Sequence, residues 1–118
     1  MEKFALIVDD DEDLGRLLQL VLSKNGLTTS HVKSITELRD TVATTRPHVV
    51  FIDNRLDGGF GIDEVPAIRR MHPACRIILM TADDWHEIKN ADGIKEIDGF
   101  MSKPFSTTDV EKHLSAAA

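Results

Sequence analysis

The chain is predicted to fold as an α/β protein, a (βα)5 doubly wound parallel sheet, and three observations carry that expectation. Apolar runs of strand length recur five times, at about 3–8, 28–33, 48–52, 76–81 and 97–102. All but the second are continuous rather than alternating, which suits parallel strands buried on both faces. The segments between them are long enough for crossover helices, and right-handed crossovers distribute those helices over both faces of one sheet.

The first run, Phe4-Ala5-Leu6-Ile7-Val8, leads into a helix from Asp13 to Asn25, where Leu14, Leu17, Leu18, Val21 and Leu22 recur at helical spacing and Gly26 supplies a left-handed stop. The second helix is expected to start at Ser34, which with Glu37 forms an S-x-x-E capping box, and to end at Arg46-Pro47. The third follows the glycine-rich stretch Asp57-Gly58-Gly59-Phe60-Gly61 and runs to about His72-Pro73, with Pro66 in its first turn. The fourth starts near Asp84 and is interrupted by Asn90 and Gly93; the fifth starts at Ser106, with Asp109 in its first turn, and runs into the alanine tail. The expected strand order is the flavodoxin-like 2-1-3-4-5, which makes strands 1 and 3 neighbours and opens a ligand crevice at their carboxyl ends.

A chain of 118 residues fits one domain spanning 1–118, and 42% hydrophobic with 29% charged residues is ordinary globular composition. The apolar runs are too short for membrane spans, and the N-terminus lacks the apolar core and cleavage site of a signal peptide, so a cytoplasmic location is expected. A net charge of −6 with scattered basic residues, Arg69-Arg70 being the one adjacent pair, argues against nucleic acid as a partner. The lone Cys75 reads as a small turn or core residue, and the five histidines, without ligand spacing, read as surface or satisfied side chains.

Chemistry concentrates at the strand ends. Asp9 and Asp10 follow the first run and Asp53 follows Val49-Val50-Phe51-Ile52. Three carboxylates gathered at one sheet edge repel unless a divalent cation or protonation neutralises them, and hard oxygen ligands favour Mg2+, with Mn2+ as an alternative. Thr81 closes the fourth run and Lys103-Pro104 closes the fifth. Taken singly these are ordinary features: Asp9 to Asp13 reads equally as an acidic loop capping the first helix, Asp53-Asn54 as a turn, Thr81 as a cap, Lys103-Pro104 as a turn. Their conjunction on different strands at one edge is the informative signal.

With that ordered set, Asp-Asp, Asp, Thr, Lys-Pro, essentially the whole chain resembles a response-regulator receiver domain of two-component signalling, in the manner of a single chemotaxis-regulator-like domain. The resemblance implies that Asp53 is the phosphoacceptor, taking a phosphoryl group from the phosphohistidine of a sensor histidine kinase or a phosphotransfer protein. It implies Mg2+ held by Asp10, Asp53 and the backbone carbonyl of Arg55, with Asp9 acting through water. Lys103 and Thr81 are then the lysine and hydroxyl that contact phosphoryl oxygens, Thr81 and Phe100 the switch pair, and the fourth helix, fifth strand and fifth helix the face presented to a downstream protein or output domain, with Trp85 on or near it. Arg55 and Asp83 stand where receiver domains modulate the lifetime of the acyl phosphate, and the Lys103-Pro104 bond is expected to be cis. Such a chain is a switch rather than a conventional enzyme. The loop after Asp53 departs from the family pattern: Asp57 stands where proline is common and Phe60 where Asp or Asn is common, while Gly61 matches.

Rival readings remain at this stage. A flavodoxin-type nucleotide or flavin module would need a Gly- or Ser/Thr-rich loop after the first strand, where acids stand instead. A phosphatase working through an aspartyl phosphate would need a second acid/base two residues after Asp53, where Arg55 stands. A receiver serving only as an interaction module is the third. Whether the chain stands alone or belongs to a longer regulator, and which kinase it serves, the residues leave open.

Overall fold

The computed structural model describes residues 3–115. In chain order the elements are β1 (Lys3–Val8), α1 (Glu12–Lys24), β2 (Leu27–Val32), α2 (Ile35–Thr44), β3 (Val49–Asp53), β4 (Arg55–Leu56), β5 (Gly59–Phe60), α3 (Gly61–Met71), β6 (Arg76–Thr81), α4 (Trp85–Ile88), a 3-10 helix (Asp92–Glu96), β7 (Gly99–Ser102) and α5 (Thr107–Ser115). Five strands pair in parallel in the order β2-β1-β3-β6-β7, the flavodoxin-like order.

The continuous apolar runs are explained by two cores. Because successive strand residues point to opposite faces, Leu6, Val8, Val50, Ile52, Ile77 and Leu79 pack with Ile35, Leu38, Ile62, Val65 and Ile68 of α2 and α3. Ala5, Ile7, Phe51, Ile78 and Met80 instead pack with Leu18 and Leu22 of α1 and Val110 of α5. Each fully buried side chain of this size contributes about 1.5–3 kcal/mol, so both faces of every central strand stabilise the sheet.

Helix ends follow local chemistry. Asp11 caps α1, its carboxylate accepting from Asp13 N and Leu14 N, so the acidic loop does cap the helix, as the plainer reading of Asp9 to Asp13 had it. Ser34 accepts from Glu37 N, but Glu37 accepts from Lys33 N, so the expected box is shifted by one residue on its return bond. A fully reciprocal box forms at α5, between Ser106 and Asp109. The alanine tail, residues 116–118, lies outside the described residues.

One expectation is corrected and two segments gain detail. Pro66 lies in the interior of α3, not in its first turn. Lacking an N–H, it leaves the Ile62 carbonyl without its intrahelical donor. Gly93 packs against that carbonyl so closely that a Cβ there would stand 2.2 Å from the oxygen. The fourth helix is a single turn, followed by the 3-10 helix that carries Gly93; the close approach to α3 holds that segment in place of a longer helix. The glycine-rich stretch ahead of α3 forms a hairpin: Arg55 and Leu56 pair antiparallel with Phe60 and Gly59, Leu56 is buried, and Gly58 turns the hairpin at φ 97.

Candidate functional site

Parallel register builds the site. Val8 of β1 is level with Ile52 of β3, so Asp9 and Asp53 leave the sheet side by side, and Thr81 of β6 is level with Ser102 of β7, just before Lys103. Carboxylate oxygens of Asp9, Asp10 and Asp53 lie within 4.8 Å of one another. The Lys103–Pro104 peptide is cis, and Lys103 Nζ lies 2.8 Å from Asp9 Oδ2 and 3.2 Å from Asp53 Oδ2.

Asp9 is fully buried, and both its oxygens are engaged: Oδ1 accepts from Asp11 N at 2.9 Å and Oδ2 from Lys103. Its backbone carbonyl lies 2.7 Å from His31 Nε2. The His31 ring occupies the place where a Cβ on Gly15 would stand, 2.1 Å from Cε1, so a glycine inside α1 lets the imidazole in. Asp10 is exposed at the rim. Burial pushes the Asp53 carboxyl up to about 6, the Asp9 charge adds to this, and Lys103 partly offsets it. Burial pulls Lys103 down, but its bonds to the two aspartates outweigh that and its pKa is raised. Gly61 brings the start of α3 against β3: a Cβ there would meet the Asp53 carbonyl oxygen at 2.1 Å.

The donor set suits a hard divalent cation. Asp9 has its oxygens occupied, which fits a role through water, while Asp10 at the rim and Asp53 beside it offer anionic oxygens.

Thr81 is buried, and its Oγ1 accepts from Asp83 N at 2.9 Å. Arg55 and Asp83 face each other across neighbouring loops, with Nε 2.8 Å from Oδ1, and the Arg55 guanidinium lies 5.8 Å from the Phe60 ring centroid. Burial raises the Asp83 carboxyl, but hydrogen bonds from Arg55, Asn54 and Thr81 take it below the usual range. Phe100 does not reach this edge: it pairs with Leu79, two positions short of Thr81, and meets Trp85 edge-on at 5.4 Å and 82°. Asn54 is a residue the sequence reading passed over as a turn. It is 2% exposed, its Oδ1 accepts from Ile62 N, and its Nδ2 donates to Asp83. A polar residue straight after Asp53, ahead of a helix start without a capping side chain of its own, was the available signal.

The family profile of the response regulator receiver domain matches residues 5–115. The chain belongs to that family. This receiver domain is 29% identical over 117 residues to the photosynthetic apparatus regulatory protein RegA of Cereibacter sphaeroides, covering 98% of this chain and 62% of RegA. The receiver domain thus spans less than two thirds of that relative. Its fold matches a CheY-like receiver domain from Methanospirillum hungatei with a TM-score of 0.91 at 18% identity, over 98% of this chain and 93% of the other. It also matches the response regulator TrrA of Thermotoga maritima, solved in complex with Mg2+ and BeF, with a TM-score of 0.86 at 21% identity over 98% and 99% of the two chains.

Proposed function

We propose that this receiver domain accepts a phosphoryl group on Asp53 from a phosphohistidine and thereby switches a partner-binding surface. The observation that carries the reading is the buried Asp53 carboxylate at the sheet edge, paired with Lys103 and within 4.8 Å of Asp9 and Asp10 oxygens. An Asp53 oxygen attacks phosphorus; the donor P–N bond breaks and the imidazole leaves, taking up a proton. Lys103 already holds Asp53 Oδ2 and follows the charge onto a phosphoryl oxygen. Thr81 offers its hydroxyl proton to another; the bond from Asp83 N falls on the oxygen lone pair and does not compete. Asp10, Asp53 and the Arg55 backbone carbonyl would hold Mg2+, with Asp9 acting through water, and the ion supplies positive charge to the transferring group.

Movement of Thr81 toward the phosphoryl group and inward rotation of Phe100 would then alter the surface formed by α4, the 3-10 helix, β7 and α5, where Trp85 contacts Phe100. The donor is a sensor histidine kinase or phosphotransfer protein, and the recipient of the signal a downstream protein or output domain, in the cytoplasm. No helix among the described residues is long and apolar enough to cross a membrane. Acetyl phosphate with Mg2+ is expected to add one phosphoryl mass; Asp53→Asn abolishes it, and Asp10→Asn weakens metal binding with the fold intact. Labelling that survives Asp53→Asn or EDTA would falsify the assignment.

A further inference from the structure

Asn54 makes four hydrogen bonds in a position with almost no solvent. Its backbone N donates to Met80 O at 3.0 Å and its carbonyl accepts from Gly61 N at 2.7 Å. Its side-chain Oδ1 accepts from Ile62 N at 3.1 Å, and its Nδ2 donates to Asp83 Oδ2 at 3.2 Å. An N–H on one side and a carboxylate on the other allow only one orientation of the amide. Asp83 is the hub on the opposite loop: its carboxylate also accepts from Arg55 Nε, and its backbone N donates to Thr81 Oγ1.

We propose that Asn54 is a positioning residue for the phosphoryl chemistry: by gripping Asp83 while capping α3, it fixes the loop after β6 so that Arg55 lies across the mouth of the site and the Thr81 hydroxyl is held beside it. The Arg55–Asp83 pair is exposed on the arginine side, 65%, and such a pair alone holds a guanidinium only weakly. A buried amide gripping the same carboxylate removes the freedom of the Asp83 side, since letting go would leave a buried donor unpaired. The inference rests on the phosphoacceptor reading, because lifetime of an acyl phosphate is what the geometry controls.

Asn54→Asp separates the two jobs of the side chain. One carboxylate oxygen still accepts from Ile62 N, so the cap persists, but the other faces the Asp83 carboxylate and repels it. The exchanged pair, Asn54→Asp with Asp83→Asn, restores an amide-to-carboxylate bond with the roles reversed. We expect Asn54→Asp to shorten the acyl-phosphate lifetime several-fold at saturating Mg2+ and to speed solvent exchange of the Arg55 Nε–H in 15N NMR, with the exchanged pair recovering most of both. A parent-like lifetime in Asn54→Asp, or no recovery in the exchanged pair, overturns the proposal. If the parent takes up no phosphoryl group at all, the phosphoacceptor reading is what fails. The Nε–H exchange, measured without phosphate, then decides the clasp: parent-like exchange in Asn54→Asp overturns it and faster exchange supports it.

Discussion

Asp53 carries an electrostatic cost that the proposed phosphoacceptor role would account for. Its folded pKa of about 6 lies above the ordinary carboxylate value, because burial and Asp9 disfavour the charged form. The folded protein therefore binds this proton more tightly than the unfolded chain. Below about pH 4 both forms are protonated and there is no penalty; as pH rises through about 6 the folded state alone pays to ionise, and stability falls by about 2–3 kcal/mol from this group. Asp53→Asn is accordingly expected to raise the urea midpoint at pH 7.5 in EDTA by the equivalent of about 1–3 kcal/mol, with the gain shrinking at pH 4.5; a loss of stability at pH 7.5 would contradict the electrostatic account. Arg55 is a separate case. If the side chain paired with Asp83 shields the proposed acyl phosphate sterically, Arg55→Ala should shorten the phosphorylated lifetime several-fold, about 1 kcal/mol in a barrier. Equal or slower autodephosphorylation in the variant would sink the shielding role.

Helices here are shaped by what their neighbours allow. Gly15 costs α1 about 1 kcal/mol in helix propensity relative to alanine, yet the space above it is filled by the ring that holds the Asp9 carbonyl. Gly15→Ala should therefore lower stability by about 1–3 kcal/mol by displacing His31, against the sign that propensity predicts, as denaturant titration will report. Between β6 and β7, Trp85 stands half-exposed with its ring against Phe100. Inward rotation of Phe100 in the proposed switch would remove an edge-on neighbour from the indole, so Mg2+ with beryllofluoride should change Trp85 emission in the parent and leave Phe100→Ala unresponsive. An unchanged spectrum in parent protein shown to bind the anion would argue that Phe100 stays in place.

Across the molecule, the site exists because a parallel sheet aligns strand ends. Asp9, Asp53, Thr81 and Lys103 are distant in sequence, and register places them on one edge while the two cores hold the strands from either face. Removing charge repulsion at that edge links the cation to folding: Mg2+ binding only the folded chain should raise the melting temperature with concentration, and Asp10→Asn should blunt the rise, as thermal scans at pH 7.5 would measure.

Continuous apolar runs and the acidic, hydroxyl and basic residues that end them were enough to read the fold, the strand order and the candidate site from the residues, because burial on both faces leaves an unbroken hydrophobic signature and strand ends need no long-range information to locate. Pro66 inside α3, the single-turn α4, the hairpin after Asp53 and the double grip of Asn54 were not legible in that way. Each depends on a partner far along the chain: Gly93 against the Ile62 carbonyl, Ile35 N on the Asp57 carbonyl of the hairpin, Asp83 against Asn54. Local propensity says how a segment prefers to fold alone; which carbonyl is left bare, and which amide answers a distant carboxylate, is set only when the chain is packed.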